Sequence, residues 1–247
     1  MLFNSITFVL FHFLSVALYW LLPWQRMRQL LLLASSVVFY GWYYWPALIL
    51  LSASIVVNYG FSRWIEAAEN KKRVTGLAVV VNLCSLCWFK YSEFIGENLV
   101  AVFLRFGVAI EMPPHSVWLP LGISFYTFQV IGYLVDISRG QVKAERNFLL
   151  FGVFKCFYAQ LVAGPIVRAK TLFPQLHQKR VFDAKDFQLG IYLLLAGLAL
   201  KICIADTLAQ FVDYGFADPG KVEVATAWLT IHAFAAQILS DFWGYST

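Results

Sequence analysis

WLPLGISFYTFQVIGYLVDISR, Trp118 to Arg139, is an apolar segment with polar and ring-hydroxyl residues set into it at helical spacing. At about 100° per residue, Tyr126, Gln129, Tyr133 and Asp136 fall within an arc of roughly 80°, while Ile123, Phe128, Ile131 and Leu134 cover much of the rest. One face of this helix is built to hold something polar. It either lines a cavity or hydrogen-bonds to neighbouring helices, a contact that stabilises membrane bundles by roughly 0.6 to 2 kcal/mol.

The rest of the chain decides the solvent in which that face is placed. Of 247 residues, 60% are hydrophobic and 13% charged, and the mean hydropathy is +0.68. These values exclude the soluble globular classes and point to an all-α, polytopic transmembrane helix bundle, in which polar groups survive mainly by pairing or by lining a cavity. Spans long enough to cross a hydrocarbon core of about 30 Å are expected near Ile6–Leu22, Leu30–Tyr44, Ala47–Phe61, Val74–Phe89, Val117–Asp136, Phe187–Ala205 and Val224–Trp243. The first lacks the basic flank and small-residue cleavage site of a signal peptide and reads as an uncleaved anchor. Tyr40-Gly-Trp-Tyr-Tyr-Trp-Pro46 reads as a tight hairpin at a membrane surface, because amphipathic rings prefer the headgroup layer and proline ends helices.

Lys and Arg residues orient the chain. With the N-terminus extracytoplasmic, fourteen of the nineteen fall in cytoplasmic loops and three (Lys90, Arg105, Lys221) outside, while Lys155 and Lys201 sit within apolar segments. That count requires apolar Phe148–Gly164 to dip into the bilayer and return, breaking at Gly164-Pro165, so that Arg168, Lys170, Lys179, Arg180 and Lys185 stay inside. Such a re-entrant segment is tolerated only where protein or a water-filled cavity covers its backbone. The net charge of +5 follows from this cytoplasmic excess and gives no reason to invoke nucleic acid.

Cys84-x-x-Cys87 lies in an apolar helix without a second ligand pair, so packing, and no metal site, is expected there and at Cys156 and Cys203. Among the four histidines, His12 is early in a span, His115 beside Pro113-Pro114 and His177 in the basic stretch. Only His232 reads as deeply intramembrane. On the same final helix Gln237, Asp241 and Tyr245 recur every four residues, about 180° from His232, which makes His232 a weak catalytic candidate and a better structural one. Lys201 either pairs with Asp241 or snorkels to a surface, and Lys155 poses the same choice.

Four blocks carry a resemblance that spacing alone does not: LPLGISFYTFQVIGYLVDISRG (Leu119–Gly140), AGPIVRAKTLFPQL (Ala163–Leu176), LALKICIADTLA (Leu198–Ala209) and QILSDFWGYS (Gln237–Ser246). In this order they resemble the membrane-bound O-acyltransferase family, nearest its bacterial alginate O-acetyltransferase branch, and the resemblance covers residues 1–247 as one integral membrane domain. It implies acetyl transfer from a cytoplasmic donor, acetyl-CoA, towards hydroxyls of an extracytoplasmic polysaccharide of the alginate, cellulose or peptidoglycan kind, in the inner membrane and with a separate extracytoplasmic acyltransferase or esterase partner beside the lipids. No bound cofactor is implied. By the same resemblance Tyr126 and Gln129 line the cavity, Gly164 and Pro165 shape the re-entrant turn, Arg168 approaches the donor's phosphates or anchors the inner surface, and Gln237, Asp241 and Tyr245 form the facing wall. The family's essential histidine is expected beyond Thr247, which would leave this stretch inactive by itself. Trp243 and Thr247 depart from the small and acidic residues of the family pattern. A transporter, or a structural membrane subunit, is the alternative reading.

Overall fold

A computed structural model describes residues 5–108, 119–161, 164–218 and 222–246. Glu111, Pro113, Pro114, His115, Val117, Trp118, Ala163, Lys221 and Thr247 lie outside these. Among the described residues the elements are eleven α-helices and one π turn, with no strand. They are α1 Ile6–Leu21, α2 Gln25–Tyr43, α3 Ala47–Ala67, α4 Lys71–Arg105, α5 Ile123–Ser138, α6 Phe148–Cys156, α7 Tyr158–Leu161, α8 Ala169–His177, α9 Ala184–Ala199, the π turn Leu200–Ala205, α10 Asp206–Ala217 and α11 Val224–Ser246. The chain divides into two bodies. One comprises residues 25–162 and 166–178, the other residues 1–24, 163–165 and 179–247.

In the first body α5 is the central strut. It is bracketed by Gly122 and Gly140, both at φ +73°, a left-handed conformation that other residues adopt only with strain. Gly140 closes the helix in the Schellman manner, with the Gln141 N–H donating to the Asp136 carbonyl at 2.9 Å. The polar arc read from sequence is buried throughout: Tyr126, Gln129, Tyr133 and Asp136 are each less than 10% exposed. Around them pack Val130, Leu134, Ile137, Phe151, Phe154, Ile65 and Ala78. The α2–α3 hairpin forms as expected, with Trp42 and Trp45 exposed and Tyr40 buried.

The expected re-entrant segment is short and broken. Asn147 caps α6 by accepting from the Leu149 N–H at 3.0 Å. Its nine residues rise roughly 13 Å, under half a hydrocarbon core. The break comes at Phe157, before Gly164-Pro165, and a single turn, α7, follows. The segment then comes back. At its two ends the His177 Nε2 and Glu145 Oε2 meet at 2.7 Å, and Phe173 of α8 stacks on Phe154 of α6 with ring centroids 4.9 Å apart. Gln25 and Gln29 of α2 donate to the Leu176 carbonyl at 2.9 and 3.0 Å, holding the C-terminal end of α8.

The second body is an antiparallel helix pair plus α1. Asp183 caps α9 through the Lys185 N–H at 2.7 Å, and α9, the π turn and α10 run on as one 34-residue apolar helix. α11 crosses it at two small-residue contacts. A Cβ on Gly197 would stand 2.5 Å from the Gly244 carbonyl oxygen, and one on Gly215 would stand 2.2 Å from Thr230 Oγ1. Backbones approach this closely only where side chains are missing.

Each of the seven expected spans contains a helix, the fifth only from Ile123, since residues 119–122 are not helical and Val117 and Trp118 lie outside the described residues. Among the described residues Ala47–Ala67, Lys71–Arg105 and Ala184–Ala217 are long and apolar enough to cross a membrane. Two lengths correct the sequence reading. α4 continues past Phe89 to Arg105, so Lys90, Glu93 and Glu97 lie on helix where a loop was expected, and the sixth span extends past Ala205 to Ala217. In both, charged residues marked the end of the apolar run but not the end of the helix. Backbone hydrogen bonding is indifferent to where hydrophobicity stops.

Candidate functional site

In the first body, polar groups from four helices converge. Lys155 of α6 is fully buried. Its Nζ donates to the Ser54 carbonyl of α3 at 3.1 Å and to the Ser54 hydroxyl, and it stands 5.7 Å from the centre of the Tyr126 ring. Sequence left Lys155 open between a partner and a surface, and the fold supplies the partner: a serine and an aromatic face in place of a carboxylate. One turn along α3, Asn58 exchanges amide hydrogen bonds with Asn82 of α4 at 3.1 and 2.7 Å. Each asparagine also donates to the carbonyl four residues back. Two amides that satisfy each other and their own helices need no water, which is what makes them tolerable at this depth.

These groups border a cavity of about 140 Å³ lined by Ser54, Asn58, Asn82, Ser85, Tyr126 and Thr127 together with Leu50, Ala53, Val57 and Val81. The Tyr126 hydroxyl is buried there without a hydrogen bond of good geometry. Its polar neighbour, the Tyr40 hydroxyl, donates to the Leu121 carbonyl at 3.0 Å. Tyr126 borders this cavity. Gln129 does not line it. Its amide donates to the Phe154 carbonyl at 3.2 Å, and Gln160 donates to the same oxygen at 2.8 Å. The two glutamines satisfy a carbonyl freed where α6 breaks. Tyr133 is structural as well, its hydroxyl accepting from the Glu145 N–H at 2.8 Å. A polar face on one helix thus serves three different neighbours.

The loop into α8 is extended from Pro165 to Arg168, with Gly164 buried and Pro165 and Arg168 exposed. Arg168 is the residue before the first turn of α8 and makes no side-chain cap. Its guanidinium is open to solvent, as an anion contact or an inner-surface anchor requires.

In the second body, the stripe expected on α11 meets Lys201. The Lys201 Nζ lies 2.6 Å from Asp241 Oδ1 and 2.8 Å from Asp206 Oδ1, and 5.5 Å from the centre of the Tyr245 ring. Lys201 sits in the π turn, where one residue too many is accommodated and the Asp206 N–H reaches back to the Lys201 carbonyl. The extra residue turns Lys201 towards α11 and brings Asp206 under the same ammonium. Gln237 Oε1 on that stripe, and Ser246 Oγ at the end of the helix, are buried without hydrogen-bond partners among the described residues. His232 points elsewhere. Its Nδ1 donates to the Trp228 carbonyl of its own helix at 2.8 Å on an exposed face, the arrangement of a structural histidine.

Sequence reading missed Ser54, Asn58, Asn82 and Gln160. A signal was present for the first two, since polar residues four apart in the apolar run LSASIVVN share a face. π turns carry no comparable mark, although they recur at functional sites.

No family model matches the chain. It is 40% identical over 253 aligned residues to the protein named "Probable alginate O-acetylase AlgI" of Azotobacter vinelandii, an alignment that covers all of this chain and 50% of that protein. With the protein of the same name in Pseudomonas aeruginosa it shares 39% over 251 residues, all of this chain and 48% of the relative. The peptidoglycan O-acetyltransferase of Helicobacter pylori is 29% identical over 246 residues, which cover 88% of this chain and 46% of that protein. The chain spans about half the length of the curated relatives it matches. Similar over its own whole length to these O-acetylases, and with helices long and apolar enough to cross a membrane, the chain belongs to the membrane-bound O-acyltransferase family.

Proposed function

We propose that the whole protein is an O-acetyltransferase of the bacterial inner membrane, moving acetyl groups from cytoplasmic acetyl-CoA towards hydroxyls of an extracytoplasmic polysaccharide. The observation that supports this is the end-to-end similarity to proteins named alginate O-acetylase, at 40% and 39% identity. The geometry fits it. The helical bundle carries polar groups at two breaks in its apolar helices, Phe157 and the π turn, and irregular backbone of that kind is tolerated at membrane depth where it borders protein or a cavity.

On this reading Tyr126 and the cavity beside it hold a polar part of a substrate, and Arg168 contacts the donor's phosphates through its exposed guanidinium. Gly164 and Pro165 shape the backbone ahead of it. Gln237, Asp241 and Tyr245 line a wall whose charge is set by Lys201. The acceptor hydroxyl is deprotonated by a histidine that the family pattern places beyond Thr247, so residues 1–247 alone bind and orient without transferring acetyl. A positioned base of this kind is worth about 10² to 10⁴ in rate. The N-terminus is extracytoplasmic, and a separate extracytoplasmic acyltransferase or esterase receives or trims the product.

The test supplies labelled acetyl-CoA to the cytoplasmic face of sealed membrane vesicles containing the intact protein and follows label into polysaccharide on the other side. Transfer that depends on the protein, and falls about tenfold or more in Arg168→Ala through a raised KM, is expected. Label that never leaves CoA in the presence of protein, polysaccharide and partner subunit would overturn the reading.

A further inference from the structure

The second body contains a larger groove that the acetyl-transfer reading does not use. Its volume is about 340 Å³, within the range of small-molecule sites. α1 supplies one wall through His12, Phe13, Val16, Tyr19 and Trp20, and α9 the other through Phe187, Gly190, Ile191 and Leu194. Among the described residues α1 buries only Phe8 and Ser15 of its sixteen.

The groove is chemically two-ended. Apart from His12 its lining is apolar at one end, and at the other stand Arg180, Asp183 and Asp186. Tyr19 and Trp20 lie at the same end, with Phe182 edge-on to Trp20 at 5.3 Å, the ring types that prefer a headgroup layer. From His12 to Trp20 the wall is eight residues long, roughly 12 Å, close to the 15 Å or so that one leaflet contributes to a hydrocarbon core. Gly190, exposed on the α9 wall, carries no side chain, and a Cβ there would meet nothing within 4 Å.

We infer that this groove is a binding site for a zwitterionic phospholipid with a primary ammonium headgroup, whose phosphate faces Arg180, whose ammonium faces Asp183 and Asp186, and whose acyl chain runs over Gly190 between α1 and α9. The charge pattern selects among amphiphiles. One cation with two carboxylates disfavours an anionic lipid, and equally the polyphosphate of an acyl-CoA, because a second negative group would face Asp183 and Asp186. Dissimilar ends select orientation. The lipid ties α1 to α9 where few protein contacts do so.

The test incorporates the intact protein into bilayers of equimolar phosphatidylethanolamine and phosphatidylglycerol, extracts it in mild detergent and counts retained lipid by native mass spectrometry. The expected result is one phosphatidylethanolamine per chain, enriched about two- to fivefold over the bilayer ratio, the factor that exposed charge pairs supply. Gly190→Leu fills the space beside Gly190 and loses the retained lipid, whereas Asp186→Lys, at an exposed side chain, reverses the preference towards phosphatidylglycerol. Lipid retained at the bilayer ratio by the unmodified protein, or an unchanged preference in Asp186→Lys, overturns the inference. Neither result bears on acetyl transfer, which is measured separately.

Discussion

Lys155 and Lys201 pose the same problem in two parts of the molecule, and the two bodies solve it differently. Lys155 is fully buried among tightly packed helices and is held by one serine and one aromatic ring, with no carboxylate among the described residues within ion-pair distance. Lys201, its side chain 16% exposed, lies between two carboxylates at a π turn. In the dense body, a carboxylate would have to be desolvated as fully as the lysine, at a cost that the attraction barely offsets. Around Lys201 the packing is looser, and Asp206 and Asp241 are 41% and 38% exposed, so the carboxylates are not enclosed by protein as Lys155 is. Burial depth, more than residue type, decides which partner a membrane lysine takes.

The comparison can be broken first at the helix contacts that set those depths. Gly197→Ala places a methyl group 2.5 Å from a backbone carbonyl of α11 that cannot move independently. A loss of about 3 kcal/mol is expected in the second body, read as a lowered midpoint in denaturing mixed micelles. In the first body Gly152→Ala meets only the Leu33 side chain at 3.5 Å, and a change within about 1 kcal/mol is expected. Equal losses at the two positions would show that the bodies are packed alike.

Next in size is Lys201→Met, which leaves two carboxylates facing each other without their cation. A cost of about 1–3 kcal/mol is expected, between the values for exposed and buried pairs. Because both carboxylates are partly exposed, the cost should shrink as salt is raised from 0.05 to 0.5 M if water reaches them. Lys155→Met should show no such salt dependence, having no ionic partner to screen. A salt response at Lys155 would place it in the same class as Lys201.

Smaller still are the amide contacts of the dense body. Asn58→Leu strands the Asn82 amide and should cost about 1–2 kcal/mol, whereas the double change Asn58→Leu with Asn82→Leu should recover most of it, since the penalty belongs to the unpaired group. An additive double change would mean that the pair is not exchanging hydrogen bonds. Gln129→Leu should cost less than about 1 kcal/mol, because Gln160 still serves the Phe154 carbonyl.

Much of this was legible in the order of residues. Apolar periodicity placed seven helices, the Tyr40–Pro46 ring cluster placed a hairpin, and the distribution of Lys and Arg required a segment that returns, which the meeting of Glu145 with His177 accommodates. The α11 stripe was readable because polar residues four apart share a face whatever they touch. Gln129 shows the limit. Its side of α5 was correctly read as buried and polar, yet the partner is a carbonyl 25 residues away that becomes free only because α6 breaks at Phe157.

Composition and spacing by themselves determined that the chain is a membrane helix bundle, where its helices run and which faces are polar, because a bilayer admits few alternatives and 3.6 residues per turn is a local property. Only the tertiary structure decided what those faces hold: that Lys155 rests on Ser54, that Asn58 exchanges with Asn82, and that a π turn swings Lys201 under Asp241. Those pairings join residues 24 to 101 positions apart or hinge on a single extra residue in a helix, and no local pattern encodes a contact that exists only once separate helices have packed.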